Sequence, residues 1–259
     1  MALLPSTDAF AQTYNTPGVK DPLEAIEAYQ EYQREWADTE LGSHAISTRM
    51  ELPRGRIRTW QDGGKPDVVR GIEVARENGW IECPVDSEVF AALTRLVAGV
   101  YSGGSISECV FVPSFSAPDS VVESQLRSDL ETLGAGCRLA LSNSGNVEEL
   151  RPESDASVLG RILVALGAPH GPKTETVDRL PSFLDSAPDD VRREFVCVYV
   201  ANRGVAVDGR EFIQIIEQRP EKYLASLASL IDSVVATDVW HSGTAVRMYD
   251  DGLEDLGLS

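Results

Sequence analysis

Three arginines alternate through one short stretch of this chain, Arg54-Gly55-Arg56-Ile57-Arg58-Thr59-Trp60. Planar guanidinium groups spaced in this way suit bidentate hydrogen bonds to phosphate oxygens and base edges. The residues before them supply a frame. Ser43 can cap a helix His44–Met50, and Glu51-Leu52 turns the chain. Pro53 suits the first turn of a second helix running from Arg54 to Trp60, because its missing N–H costs nothing there. Ile46, Leu52, Ile57 and Trp60 give the helices apolar contacts. Arg54, Arg56 and Arg58 lie toward the exposed side and its edges, Gly55 permits close approach to a backbone, and Gly63-Gly64 ends the helix. A short basic helix anchored from behind is what major-groove recognition needs. The stretch therefore reads as a helix-turn-helix with double-stranded DNA as its partner. A preceding helix from Pro22 to Ala37, with a stripe of Ala25, Tyr29, Tyr32 and Trp36, and a following one within Lys65 to Trp80, closed by Asn78-Gly79, complete a small helical domain.

Little else reads as catalytic. Cys83, Cys109, Cys137 and Cys197 are scattered with no Cys-x-x-Cys spacing, and His44, His170 and His241 do not pair with them. They read as small buried residues in a reducing compartment, with no metal site and no cofactor.

The remaining chemistry sits at the ends of two similar segments. Leu96-Val97-Ala98-Gly99-Val100-Tyr101-Ser102-Gly103-Gly104 and Val196-Cys197-Val198-Tyr199-Val200-Ala201-Asn202-Arg203-Gly204 each close an apolar helical run, Phe90 to Tyr101 and Val191 to Val200. Each then leads into β-prone sequence. Such a repeat predicts two similar halves about a pseudo-twofold axis.

The pair resembles the signature of the LAGLIDADG homing endonuclease family. The flanks, Leu159-Gly160 to Leu166-Gly167-Ala168-Pro169, Leu180-Pro181 and Arg192-Arg193-Glu194-Phe195, look like the lead-in to the second motif. The resemblance covers Ser87 to Asp250. It implies two αββαββα repeats with the motif helices side by side and the sheet faces on DNA. It also implies an acidic residue before the last Gly of each motif, holding a divalent metal beside the scissile phosphates. Here that position is Gly103 in one copy and Arg203 in the other, followed by Gly104 and Gly204. The earlier acidic position is Tyr101 and Ala201. Neither Gly103 nor Arg203 can hold Mg²⁺, so the scaffold reads as kept and the cleavage chemistry as lost. Arg203 can contact phosphate in place of the ion, or face solvent where a cation suits a helix C-terminus. The N-terminal pattern resembles small winged or resolvase-like helix-turn-helix domains. A bacterial regulator family pairs the same two kinds of domain in the opposite order.

The net charge is −18 with a pI near 4.5, and lysine is confined to Lys20, Lys65, Lys173 and Lys222. Abundant Asp and Glu, scarce Lys and small apolar residues match a salt-adapted proteome, as in halophilic archaea. Acidity ordinarily argues against nucleic acid. Salt at 1 M shortens screening to about 3 Å, which removes long-range repulsion together with the gain from counterion release. Local arginines, shape and base contacts then have to carry binding. No basic-then-apolar leader and no run of about 20 apolar residues appears, so the expected location is the cytoplasm, without a membrane.

The expected class is α+β. Residues 1–20 read as a flexible arm, 21–81 as the helix-turn-helix domain, 85–167 and 168–250 as the two repeats, and 251–259 as an acidic, fraying tail. Strands are expected at Ser105 to Val112, Arg138 to Ser142, Val147 to Leu150, Glu211 to Ile216, Val234 to His241 and Ala245 to Tyr249. A hairpin turn is expected at Ser144-Gly145-Asn146. Arg210, Gln214, Arg247, Arg138, Arg151, Asn143 and Ser107 are the candidate DNA-facing strand residues.

The leading reading is a non-cleaving DNA-binding protein, a monomeric transcription regulator with no catalytic residues. A working endonuclease would need relocated acids, Asp208, Glu108 or Glu194, and Mg²⁺. A regulator whose C-terminal domain binds a protein or small ligand, and an RNA-facing role, are the other readings. For the last, the sequence shows no aromatic stacking platform.

Overall fold

The computed structural model describes residues 3–15, 21–141, 148–173 and 177–258. It mixes helices with small antiparallel sheets. Strand β1 (Leu3–Leu4) pairs with β2 (Cys83–Pro84), and helix α1 (Thr7–Gln12) follows, with Ser6 accepting the Ala9 N–H. The flexible arm expected over 1–20 is therefore corrected for its described part. Phe10 and Ala11 are fully buried, and Phe10 packs edge-on to Tyr14 at 5.5 Å. Burial of that one ring outweighs the fraying expected of a short polar terminus.

Helices α2 (Pro22–Glu35), α3 (Ser43–Met50) and α4 (Arg54–Gln61) share a satellite core of Tyr29, Tyr32, Ile46, Ile57 and Trp60. Helix α5 (Asp67–Glu77) touches it through Val69 but buries its main face elsewhere. Val68, Ile72 and Ala75 join the main core, as does Trp80, whose indole N–H donates to the Leu133 carbonyl at 2.9 Å. The region expected as one helical domain over 21–81 thus divides between two cores.

The main body begins with α6 (Glu88–Ser102), apolar on nearly all sides and correspondingly buried. It is followed by β3 (Ser105–Ile106), β4 (Pro113–Ser114), α7 (Ser120–Thr132), β5 (Cys137–Leu141), β6 (Glu148–Pro152) and α8 (Ala156–Ala165). After a 3₁₀ turn at Ser182–Asp185 come α9 (Asp189–Arg203), β7 (Gly204–Ala206), β8 (Phe212–Ile216), α10 (Glu221–Asp232), β9 (Val239–Ser242), β10 (Ala245–Tyr249) and α11 (Gly252–Leu256). The order helix, strand, strand, helix, strand, strand, helix occurs twice. The pairing order recurs too: β7-β8-β10-β9 form one sheet, and β3-β4 and β6-β5 are joined by a bridge between Phe115 and Leu150. Helices α6 and α9 pack against each other at the centre.

Four local readings change. The strand expected over Ser105 to Val112 is a hairpin. Ser107 turns the chain, accepting the Val112 N–H at its hydroxyl and the Phe111 N–H at its carbonyl, and Phe111 takes a left-handed φ of 54°. Residues 234–238 precede β9, because the Val234 N–H closes the end of α10 on Ile231. The tail over 251–258 is helical at 252–256, with Leu256 buried. All four cysteines are free thiols, but only Cys83 is buried and Cys109 is exposed. The expected turn at 144–146 and Asn143 lie outside the described residues. Among the described residues no helix is long and apolar enough to cross a membrane.

Candidate nucleic-acid interface

Helices α3 and α4 meet across Glu51, Leu52 and Pro53, with Glu51 in the left-handed region at φ 53°. Trp60 lies 5.2 Å from the Tyr29 ring and 5.3 Å from the Tyr32 ring, so α4 is held from behind by aromatic packing. Its other side carries the arginines. Arg54 and Arg58 are exposed, Arg56 is half-buried, and open space surrounds Gly55. Ser43 does not cap α3; Gly42 holds that position, and the Ser43 hydroxyl instead accepts a hydrogen bond from Arg54 Nε at 3.1 Å. Pro53 is the N-cap of α4, one residue before the place expected for it. Arg58 faces Asp62 at 3.9 Å with both side chains largely in solvent, a contact that leaves its guanidinium available.

At the centre, α6 ends at Gly103 and α9 at Gly204. A Cβ on Gly104 would lie 2.5 Å from the Ser114 carbonyl oxygen, and one on Gly204 2.7 Å from that of Val200, so both turns need the close backbone approach of glycine. The helix ends are tied together by Asn202 Nδ2, which donates to Ser102 Oγ at 2.7 Å.

Each end also carries a cation. Lys173 Nζ donates to the carbonyls of Val100, at 2.8 Å, and Gly104, on the C-terminal end of α6. Burial, with Arg219 and Arg203 nearby, lowers its pKa to about 8. At the end of α9, Arg203 Nη2 donates to the Ile216 carbonyl at 2.9 Å and Nε faces Glu217 at 3.4 Å. Glu217 is buried, accepts a hydrogen bond from Tyr199 at 2.7 Å and pairs with Arg219 at 3.4 Å. Tyr199 in turn lies 3.0 Å from the Tyr223 hydroxyl, and burial raises the pKa of both phenols. Lys173, Arg203 and Arg219 against Glu217 leave positive charge in excess.

Glu217 and Lys173 were not singled out by sequence reasoning. One follows a strand and the other lies in a Pro-rich connection, and only the tertiary fold brings them to the helix ends. The acids that the endonuclease reading would relocate lie elsewhere. Glu194 is paired to Arg95 at 2.9 Å, Glu108 rests beside Gly171, and Asp208 is exposed in the β7–β8 turn.

The sheet faces differ. Register places Val205, Gln214, Arg247 and Trp240 in one row across β7-β8-β10-β9. Gln214 and Arg247 are therefore cross-strand neighbours, as a shared contact surface requires, while Arg210 sits exposed in the preceding turn. Trp240 stands between Phe212, at 5.7 Å, and Tyr249, at 5.3 Å. Tyr249, Val205 and Ile216 are 44, 60 and 51 % exposed. The rings of this aromatic and apolar face come from three strands and are invisible as a motif in the sequence. In the other half Arg138 and Arg151 stand opposite each other, Arg151 held by Glu149 at 3.1 Å.

No protein-family profile matches the chain. A curated relative, the tRNA-splicing ligase RtcB of Pyrococcus abyssi (strain GE5 / Orsay), is 27% identical over 161 residues, 57% of this chain and 17% of that protein. The chain thus spans under a fifth of that relative's length. Among solved structures, the N-terminal LAGLIDADG domain of DUF199/WhiA superposes with a TM-score of 0.41 at 11% identity, over 73% of this chain and 92% of that one.

Proposed function

We propose that this chain is a double-stranded DNA-binding protein that recognises its target without cutting it, on a duplicated LAGLIDADG-like scaffold. The reading rests above all on the two central helix ends. Where that family carries metal-binding acids, this chain has Gly103 and Arg203; Lys173 sits on the carbonyls at the first helix end, and Arg203 and Arg219 pair with Glu217 at the second. Built-in cations stand where an ion would have neutralised phosphate. Helices α3 and α4 act as the helix-turn-helix, with Arg54, Arg56 and Arg58 toward the groove. Arg203, Arg210, Gln214 and Arg247 add contacts from the second half. The protein works as a monomeric transcription regulator in a salt-adapted cytoplasm. The test is a random-duplex and supercoiled-plasmid assay in multimolar KCl with Mg²⁺ or Mn²⁺, reading both mobility and strand breaks. A shift without breaks is expected; a metal-dependent nick or double-strand break contradicts the reading.

The ring cluster of Phe212, Trp240 and Tyr249 favours a second reading, an unpaired strand stacked on the β7-β8-β10-β9 face with Arg247 toward its backbone. Quenching of Trp fluorescence by an oligothymidylate, lost in Trp240→Ala, supports it; quenching by duplex alone counts against it.

A further inference from the structure

Where α2, which carries the satellite core, meets α5 and α8 of the main core, the structure holds a cavity of about 470 Å³. Its described lining is apolar at Pro22, Ala25, Val74 and Val158, and it carries the charged side chains of Asp67, Arg70, Asp155 and Arg161. Asp67 and Arg70 pair with each other at 3.1 Å. Asp155 stands in solvent at the start of α8. Arg161 is half-buried and has no carboxylate partner among the described residues. Burial lowers its pKa, and Tyr14 and Asp67 offset this only in part.

The Arg161 guanidinium is held on most sides. The rings of Tyr14 and Phe111 flank its central carbon at 4.0 and 3.8 Å, and Nη1 donates to the Thr13 carbonyl. That leaves the edge formed by Nε and Nη2, whose N–H bonds run parallel. Neither nitrogen bonds a described residue, and neither is sealed from solvent. Two parallel donors match the two oxygens of a carboxylate or phosphate. A dianion would meet Asp67 and Asp155 with one unpaired guanidinium to hold it, so a single negative charge fits this cavity. The apolar wall calls for hydrocarbon behind that charge.

We propose that this cavity binds a small organic carboxylate with an aliphatic tail. The carboxylate takes the Nε–Nη2 edge of Arg161, and the tail lies against Ala25, Val74 and Val158. The site shares no residue with the proposed DNA contacts and does not depend on that function.

The test is calorimetric melting of the full chain in multimolar KCl, at matched potassium concentration, with potassium hexanoate, n-hexanol or potassium acetate. The first carries charge and tail, the others only one of the two. Hexanoate is expected to raise Tm saturably, as a ligand of the native state does, and the controls to shift it less than about one tenth as much. Ser157→Trp places a large ring at an exposed position of the cavity wall and abolishes the response. Arg161→Lys keeps the charge and loses the paired donors, weakening hexanoate about tenfold or more. The melts without ligand show that each variant is folded. No saturable shift with the wild type, an equal shift with either control, or an undiminished response in either variant overturns the proposal.

Discussion

At the end of α6 the chain places a lysine across two backbone carbonyls, whereas at the end of α9 it builds a buried carboxylate between two arginines and a tyrosine. Both ends follow the same element order and both reach a glycine that must sit tightly on backbone. The difference lies in how charge is held. A lysine is a compact point charge that suits converging carbonyls, while arginine's fork suits a carboxylate held in place by other donors. The outer sheet faces diverge in the same way, an arginine pair in one half and an aromatic cluster in the other. The recurring element order supplies the frame, and each half then carries its own surface chemistry.

The contrast between the ends is most exposed at Glu217. Glu217→Ala removes the partner of Arg219, whose side chain is only 8% exposed, and breaking such a buried pair costs about 3–5 kcal/mol. Removing the cation at the α6 end, in Lys173→Met, leaves two carbonyls unpaired and costs about 1–3 kcal/mol. Denaturant melts should rank the two in that order; equal losses would mean the ends are held alike. Gly104→Ala and Gly204→Ala each force a Cβ against backbone oxygen and should cost about 1–3 kcal/mol. Gly104→Ala should be the worse, since its contact is 2.5 Å against 2.7 Å.

A finer effect is the pH dependence at the α6 end. The folded pKa of Lys173 is lowered to about 8 from 10.5. Between those values the unfolded chain binds more protons, so this residue makes stability rise with pH across that window, and its penalty is fully present below it. The midpoint difference between wild type and Lys173→Met, followed from pH 7 to 10, should shift in favour of the wild type. A flat difference would place the charged ammonium at home on its carbonyls. On the outer faces, Arg54, Arg56 and Arg58 replaced together by Ala should lower duplex affinity and reduce the salt slope by about one for each phosphate no longer neutralised. Arg247→Ala should act more weakly.

Much of the frame was legible. The apolar runs ending at Gly103 and Gly204 became α6 and α9, and the paired helices at 43–61 formed where the apolar spacing places them, although Ser43 does not cap the first. What escaped depends on distant partners. Phe10 is an isolated ring in sequence, and its helix is held by packing on α2, α5 and α8. Ser107 reads as a strand residue until its hydroxyl takes the Val112 N–H. Lys173 and Glu217 carry no local signal, because their partners lie on the far side of a helix or strand. Of the candidate residues, register unites Gln214 with Arg247, an ion pair ties Arg203 to Glu217, and Arg54, Arg56 and Arg58 stay on a separate core.

The central claim is that built-in cations have taken the place of a metal at the helix ends. The most direct test is the affinity of the full chain for duplex DNA, measured with Mg²⁺ and again with a chelator at matched ionic strength. The account predicts equal affinity and intact DNA in both. Binding that needs Mg²⁺, or any strand break in its presence, would contradict it.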